Sequence, residues 1–280
     1  MDWKIVFDSG CDIRNIDEYE KDIKMGLVPL SIHVNDKAVL DNGEISLEDF
    51  QDMLDNATGK TGSACPSPGN WQSEMDGADN VIAITISGGE SGSYQSALIA
   101  KDMILEDYPD KNIFVFDSKC GGGVIEFLIR KAIKLIKKGE SFENICNEIS
   151  KARDNSEVFF LLQHVDNVIS NGRLNPVIGK AVGALKLCIL ATATDEGKFE
   201  VLSKNRTFKK DMDKCIEECV NRKVKGKEFL ISHCLNESGA SLMKDKILKQ
   251  FPDAKVEIRS TGLLTGYYAE KGGLIVSVQD

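Results

Sequence analysis

The chain lacks the long apolar runs and basic clusters that mark several large classes of protein. Of its 280 residues, 42% are hydrophobic and 28% charged. Its longest apolar stretches are interrupted by polar residues well before the roughly 18 positions that a transmembrane helix needs. The 35 basic and 44 acidic side chains leave a net charge of −9. Since basic residues occur only in short runs such as Arg222 to Lys227, we expect no binding to DNA or RNA.

Cysteine occurs eight times, but without the spacing of a disulfide framework or a structural zinc site. Cys215 and Cys219 lie four residues apart in a helical pattern, and no Cys or His pair near them has the sequence spacing of a structural zinc site. We therefore interpret them as residues of one helix face, and we expect no metal site and no cofactor. The opening residues MDWKIVFDSGCD do not have signal-peptide character, which favours a cytoplasmic location with reduced thiols.

The first half of the chain alternates strand patterns with helix patterns. Because parallel strands need crossover helices, this order favours a mostly parallel sheet with helices on both faces. The predicted elements are strands at Trp3–Phe7, at Met25–Val34 around Pro29, at Asn80–Ile86 and at Asn112–Phe116; a helix from Tyr94 that ends before Pro109; a helix at Gly123–Lys138 with Gly139 as C-cap; and a helix capped by Ser141 that continues to Arg153.

After residue 155 the pattern changes to strands in hairpin-like pairs mixed with helices. The predicted elements are strand Val158–Leu162, turn Asn171–Leu174, hairpin Lys186–Ala193 with Lys198–Leu202, helix Lys209–Asn221, strand Glu228–Ser232, helix Ala240–Gln250, and strands near Val256 and at Leu274–Val278. A chain of this length is where single cores begin to divide. We predict an α/β protein of two domains: residues 1–155, doubly wound around a mostly parallel sheet, and residues 156–280, an α+β domain with a mixed sheet.

Two motifs approach known catalytic patterns without completing them. Gly59-Lys60-Thr61 is similar to the end of a P-loop, but Leu54 occupies the position of the required first glycine. Asp8 ends the first strand in the manner of an aspartyl-phosphate nucleophile, but Gly10 stands where a second carboxylate usually lies. We expect no nucleotide site here, and we expect Asp8 to order a turn.

A third motif leaves an enzymatic alternative open. The segment from Gly89 to Ser93 approaches the G-x-S-x-G nucleophile elbow, but Ser93 replaces its last glycine. A serine hydrolase also needs a base, and the histidine that follows a strand is His233. The alternative function is therefore a serine acyl hydrolase that uses Ser91 and His233. A histidine at a strand end is also commonly a surface or hydrogen-bonding residue.

Hydroxyl-rich loops favour an anion site more directly than a hydrolase. Ser91 precedes a predicted helix, and the hydroxyls and N–H groups at a helix N-terminus bind anions. The alternative is that Ser91 only caps the helix, with no ligand. A second such loop runs from Thr61 to Pro68. Loops at the carboxyl ends of parallel strands converge on the usual ligand crevice of an open α/β sheet.

The ordered segments FDSGCD, VPL, SACPSP, SGSYQSA, FDS, NGRL, SHCLNES and a C-terminal GGL strand resemble the DegV family across nearly the whole chain. Members typically show D-S-x-x-D, V-P-L, T-S-Q-P-S, S-G-T-Y-Q-S-A and G-G-R-I in that order. The resemblance implies a non-catalytic protein whose two domains enclose a long-chain fatty acid. It also implies an acyl-presenting role in a bacterial fatty acid kinase, with a separate catalytic subunit as partner and transient contact with the membrane surface.

The resemblance also implies which residues bind the ligand. Ser63 stands at the threonine of T-S-Q-P-S, and Ser91 is the first serine of the S-G-T-Y motif, followed by Gly92. These three are expected to hold the fatty acid carboxylate. Arg173 matches the arginine of G-G-R-I, which lies near the head group or orders the loops around it.

Two segments depart from the family pattern. Many members have a C-terminal H-T-G-P-G segment, whereas this chain has Thr265 to Gly273 without a histidine, so Tyr268 or Tyr267 is expected to substitute. The K-P-I-L segment is altered to Lys186–Ile189, which leaves the local loop and the preferred partner open.

Overall fold

The structure, a computed structural model, describes residues 2–175, 177, 185 and 187–280. That part of the chain contains thirteen strands and ten helices. The strands are β1 Trp3–Asp8, β2 Lys24–Val28, β3 Ser31–Val34, β4 Lys37–Leu40, β5 Gly62–Ala64, β6 Asn80–Thr85, β7 Asn112–Asp117, β8 Ser156–Leu162, β9 Cys188–Ala193, β10 Phe199–Asn205, β11 Glu228–His233, β12 Lys255–Ser260 and β13 Leu274–Gln279. The helices are α1 Ile16–Tyr19, α2 Leu47–Asp55, α3 Pro68–Met75, α4 Ser93–Asp107, α5 Gly123–Lys137, α6 Phe142–Asp154, α7 Asp166–Ser170, α8 Phe208–Asn221, α9 Glu237–Gln250 and α10 Leu263–Ala269.

The predicted parallel sheet is present in the first half of the chain, in the order β2-β1-β6-β7 with every pair parallel. Strand β6 is buried along its whole length, as expected for a strand covered on both faces. Helices α3 and α4 pack against one face through Trp71 and Ala97, and helix α5 packs against the other through Val124 and Leu128. The predicted α/β fold is confirmed.

The apolar run around Pro29 divides between two sheets. Strand β2 belongs to the parallel sheet, and β3 is the centre of a separate antiparallel sheet in the order β4-β3-β5. Proline has no N–H group to continue a ladder. The N–H of the next residue, Leu30, donates instead to the Ser9 hydroxyl at 2.9 Å. The chain therefore leaves the parallel sheet at Pro29. It continues as β3, which pairs with β5 and so positions Ser63 opposite Ile32.

The second half forms a mixed sheet in the order β10-β9-β8-β13-β11-β12. Helices α8 and α9 cover one face, and the buried Cys215 and Cys219 lie on the inner side of α8, as predicted. The opposite face packs towards the first half, and one continuous core joins Ile5 of β1 to Ile275 of β13. The sheets divide between residues 155 and 156, and the separation into two domains there stays a prediction.

The predicted hairpin is formed by β9 and β10, and β9 begins at Cys188; Lys186, where the prediction began the hairpin, lies outside the described residues. All eight cysteines carry free thiols. Among the described residues, no helix has the length and apolar character needed to cross a membrane.

Candidate functional site

A cavity of about 370 Å³ lies where the carboxyl ends of the parallel strands meet the face of the mixed sheet. Its walls are mainly apolar and come from both halves of the chain. The apolar lining includes Leu30, Phe160, Leu162, Val168, Ala193 and Ile275. The lining also contains Ser63, Ser91, Gly92, Arg173 and Tyr268. The five residues singled out from the sequence are therefore brought together at one cavity.

Residues 87–92, which we call the serine loop, connect β6 to helix α4. Gly92 is the N-cap of α4, and the Ser91 hydroxyl accepts a hydrogen bond from the Ser93 N–H at 3.3 Å. The interpretation of Ser91 as the helix cap is therefore wrong: Ser91 lies one residue before the cap, and it lines the cavity. Because its oxygen accepts this bond, its O–H group can donate to a ligand.

Asp8 holds both ends of the serine loop through Ile86 and Ser93, the residues that flank it. Its buried carboxylate accepts hydrogen bonds from the Ile86 N–H at 3.0 Å, from the Gly10 N–H at 3.0 Å and from the Ser93 hydroxyl at 2.6 Å. Burial raises the pKa of Asp8 to about 6 despite these donors. The prediction that Asp8 orders a turn is confirmed, and the Ser93 hydroxyl is committed to that anchor.

Ser63 and Tyr268 share a hydrogen bond between their hydroxyl oxygens at 2.7 Å. Burial raises the pKa of Tyr268, so the phenol stays protonated at neutral pH. Tyr267 is completely buried behind it, with its hydroxyl 2.8 Å from that of Thr61, and it does not line the cavity. Of the two tyrosines expected to replace the family's histidine, Tyr268 is the one at the cavity.

Arg173 connects the turn after α7 to the serine loop. Its Nε and Nη2 atoms donate to the carbonyl oxygen of Glu90 at 3.2 Å and 3.1 Å, and its Nη1 donates to the carbonyl oxygen of Asn171. A guanidinium can hold two carbonyls at once because its donors form a planar fork. Arg173 therefore orders the loops and lines the cavity, and its position near a ligand head group stays a prediction.

The hairpin of the second half also closes onto the serine loop. The Ser87 hydroxyl donates to the carbonyl oxygen of Gly197 at 2.6 Å, and the Phe199 N–H donates to the Glu90 carboxylate at 2.7 Å. Burial raises the pKa of Glu90. These side chains were missed by the sequence interpretation, because their partners lie more than a hundred residues away along the chain.

Two carboxylates from the first half hold the start of helix α10, which carries both tyrosines. Asp41 accepts from the N–H groups of Leu263 at 3.0 Å and Leu264 at 2.9 Å, and Asp12 accepts from the N–H of Gly262 at 2.8 Å. Negative charge at a helix N-terminus is stabilising. Asp12 is the second aspartate of the D-S-x-x-D pattern. That motif is the sequence feature that could have indicated a structural role for Asp12.

The hydrolase alternative is not supported by the positions of its two residues. Ser91 lines the cavity, whereas His233 is not among the described residues that do so. The Nδ1 atom of His233 accepts a hydrogen bond from the Asn236 N–H at 3.3 Å, and burial lowers the pKa of the ring. The histidine therefore has a local structural role at the end of β11. Within the described residues, no group of His, Cys, Asp or Glu side chains is arranged to hold a metal ion.

The chain matches known proteins over its whole length. A family model described as "Uncharacterised protein, DegV family" matches residues 2–279. A DegV domain-containing protein of Streptococcus gordonii is 37% identical over 279 residues, which cover 100% of this chain and 99% of that protein.

Solved structures match equally well. The Streptococcus pneumoniae Fatty Acid Kinase (Fak) B3 protein, loaded with linoleic acid, superimposes with a TM-score of 0.95 at 34% identity, over 100% of this chain and 99% of that one. A DegV family protein from Eubacterium eligens, loaded with heptadecanoic acid, gives a TM-score of 0.92 at 29% identity, over 99% of both chains.

Proposed function

The chain belongs to the DegV family, and from this premise we propose that it binds a long-chain fatty acid between its parallel sheet and its mixed sheet and presents the carboxylate to a separate kinase subunit. The observation that carries the proposal is one cavity with mainly apolar walls and a cluster of hydroxyl and guanidinium groups. Two similar solved structures hold fatty acids.

The apolar walls account for the affinity. Burying an acyl chain of about sixteen carbons contributes about 0.8 kcal/mol per CH₂ group, or about 12 kcal/mol before ordering costs. The aromatic rings of Phe160 and Phe199, with centroids 5.6 Å apart, both line the cavity. Tight binding therefore needs no covalent step.

The carboxylate is the group that the site must compensate. A buried anion without hydrogen-bond partners would cost several kcal/mol. In our proposal Ser63, Ser91, the N–H of Gly92 and Tyr268 supply neutral donors, and Arg173 supplies charge beside them. Neutral donors suit transfer, because they do not lock the anion into a rigid ion pair.

The position of this cluster supports a role as a presenting subunit. Cys65 and Gly92 line the cavity and are both exposed, so the cavity reaches solvent beside Ser63 and Ser91. A kinase subunit carrying ATP can approach the carboxylate there, while the acyl chain stays inside. We propose that this chain is not itself catalytic, that it works in the cytoplasm, and that it exchanges lipid by transient contact with the membrane surface.

Native mass spectrometry of freshly purified protein, followed by organic extraction, tests the binding step. We expect one long-chain fatty acid per chain. Protein that carries no acyl chain, and that fails to bind added palmitate or oleate after delipidation, would contradict the proposal.

The presenting step is tested with Arg173→Lys in an assay of acyl phosphate formation with a cognate kinase subunit, ATP and Mg²⁺. Lysine cannot reproduce the forked contact with Glu90 and Asn171. Since phosphoryl transfer develops charge that binding does not, we expect a larger loss in acyl phosphate formation than in fatty acid affinity. Arg222→Lys, in a surface ion pair with Glu157, is the control. Equal rates for parent and Arg173→Lys would show that the forked contact of Arg173 has no part in the presenting step.

A further inference from the structure

Asn171 connects three segments around the cavity without lining it. It follows helix α7, and its Oδ1 accepts a hydrogen bond from the Ser63 N–H of β5 at 3.3 Å. Its Nδ2 donates to the Asn167 carbonyl oxygen at 2.9 Å and to the Tyr267 hydroxyl of α10 at 2.8 Å. The carboxamide thus has an acceptor facing an N–H and a donor facing three oxygens, the third being the Ser170 hydroxyl at 3.3 Å, which fixes its orientation.

The contacts with Ser63 and Tyr267 connect Asn171 to groups that line the cavity. Asn171 holds the backbone of Ser63, whose hydroxyl pairs with Tyr268. It also holds Tyr267, whose ring packs edge-to-face against Tyr268 with centroids 5.0 Å apart. The carbonyl oxygen of Asn171 accepts from Arg173. Three of the proposed head-group residues therefore depend on the position of this side chain and its backbone.

The residue type matters because glycine cannot make these bonds. The segment that aligns with the family's G-G-R-I pattern is NGRL in this chain, with Asn171 in the first glycine position. The neighbouring Gly172 keeps the turn, with a φ of +76°. Asn171 thus adds a side-chain connection that the common pattern does not contain, and it makes that connection between segments more than ninety residues apart.

From these contacts we propose that Asn171 is a positioning residue that aligns the hydroxyls of Ser63 and Tyr268 for the ligand's carboxylate. The inference rests on the proposed function, since it assumes that a carboxylate binds there. Hydrogen-bond donors compensate a charge only when they are held close to the required geometry. Asn171 therefore sets the affinity for the head group, and the apolar walls set the affinity for the tail.

The test compares oleate with oleyl alcohol, which has the same chain but no charge, in binding to delipidated protein. Losing one hydrogen bond that aligns a donor corresponds to about 1 kcal/mol, so Asn171→Ala should weaken oleate binding about 5-fold. Oleyl alcohol binding should change less than about 2-fold, because neutral acceptors gain less from alignment. Asn56→Ala is the matched control, since exposed Asn56 makes the same bond to the carbonyl four residues back, at the end of α2.

Tyr267→Phe provides a second variant, which nearly keeps the core volume and removes the hydroxyl that Asn171 contacts, together with its hydrogen bond to Thr61. It should show the same selective loss for oleate, and combining it with Asn171→Ala should give less than the sum of the two effects. If Asn171→Ala does not fold, Tyr267→Phe alone decides the question.

Equal losses for oleate and oleyl alcohol would mean that these residues only support the fold, and no loss for oleate would mean that they do not position the head group. Either result overturns the inference while leaving the proposed function intact. A parent protein that fails to bind oleate would instead overturn the proposed function and the inference with it.

Discussion

The two halves of the molecule contribute to the cavity in different ways. The parallel sheet contributes the ends of its strands: the serine loop follows β6, and residues 120–122 follow β7. The mixed sheet contributes the face of its strands, with Phe160 and Leu162 of β8 beside Ile275 of β13. The strand ends therefore offer backbone N–H groups and hydroxyls and the strand face offers apolar side chains, while Arg173 and Tyr268 of the second half join the polar groups.

The loops at the strand ends and the face of the mixed sheet are held in position in different ways. Loops at strand ends need anchors, and Asp8 supplies them for the serine loop. A strand face needs only correct side-chain volumes, because alternate residues of a strand point to one side. The halves approach closely at Gly122, where a Cβ atom would lie 3.0 Å from Cγ2 of Ile275 and where φ is +68°. Because the strand ends and the strand face contribute different groups, we expect substitutions to affect the binding of the head group and of the acyl tail separately.

The largest effect on fatty acid affinity should come from placing a larger side chain on the cavity-lining face of the mixed sheet. Ala193 of β9 lies beside Phe199 in the cavity wall, and Ala193→Phe would displace several methylene groups of a long chain. Excluding about four CH₂ groups corresponds to about 3 kcal/mol, or about 150-fold in affinity for oleate. Decanoate, which is shorter, should lose much less in the same calorimetric titration.

Glu200→Phe is the control, because exposed Glu200 pairs with Thr192 on β9 and so lies on the other face of the sheet. Equal losses for oleate and decanoate in Ala193→Phe would show that the mixed sheet does not contact the tail.

The next effect should come from the strand-end loops. Ser91→Ala and Ser63→Ala each remove a donor to an ionised acceptor, which should cost about 1–3 kcal/mol, or roughly 5- to 150-fold in fatty acid affinity. The loss should be similar for oleate and decanoate, since both carry the same head group. Ser238→Ala, at an exposed serine in the first turn of α9, is the control. Parent-like binding in both variants would locate the carboxylate elsewhere.

A smaller effect should appear in stability rather than binding. Glu270 ends helix α10 and accepts from the Asn167 N–H of α7 at 3.0 Å, and burial raises its pKa from 4.5 to about 7. Because the folded-state pKa is the higher one, the stabilisation is complete at low pH and is lost as the pH rises through about 7. Between pH 8 and pH 5.5, Glu270 should raise the free energy of unfolding by about 2 kcal/mol.

Urea unfolding at both pH values checks this prediction. Glu270→Gln cannot titrate, so its free energy of unfolding should rise less than that of the parent as the pH falls. Asp8, whose pKa burial also raises, is common to both proteins and cancels in the comparison. The same rise in parent and variant would show that Glu270 does not titrate in this range.

The sequence predicted the regular elements better than the short ones. The parallel strands and their helices follow strong apolar patterns, and most of their predicted ends lie within a few residues of those observed. Strands β4 and β5 and helices α1, α2 and α10 were not predicted. Helix α10 has only seven residues and includes Gly266, and its first N–H groups bind Asp41, which lies 222 residues away from Leu263 in the sequence. Such distant contacts leave no local pattern.

The site residues show the same limit. Ser63, Ser91 and Arg173 could be named because their motifs occur in a recognisable order. Asn171 and Glu270 could not, since each acts through a hydrogen bond to a distant segment. A motif identifies groups that face a ligand, whereas the groups that hold them are found only from the fold.

The cavity draws its walls from both halves, so a ligand inside it is bound by the folded molecule and not by the unfolded chain. By mass action, a ligand at 100 times its dissociation constant then adds about 2.7 kcal/mol to the free energy of unfolding. Two preparations that differ only in lipid content should unfold at different temperatures. Under the proposed function, the apparent stability of this protein therefore depends on its lipid content as well as on its sequence.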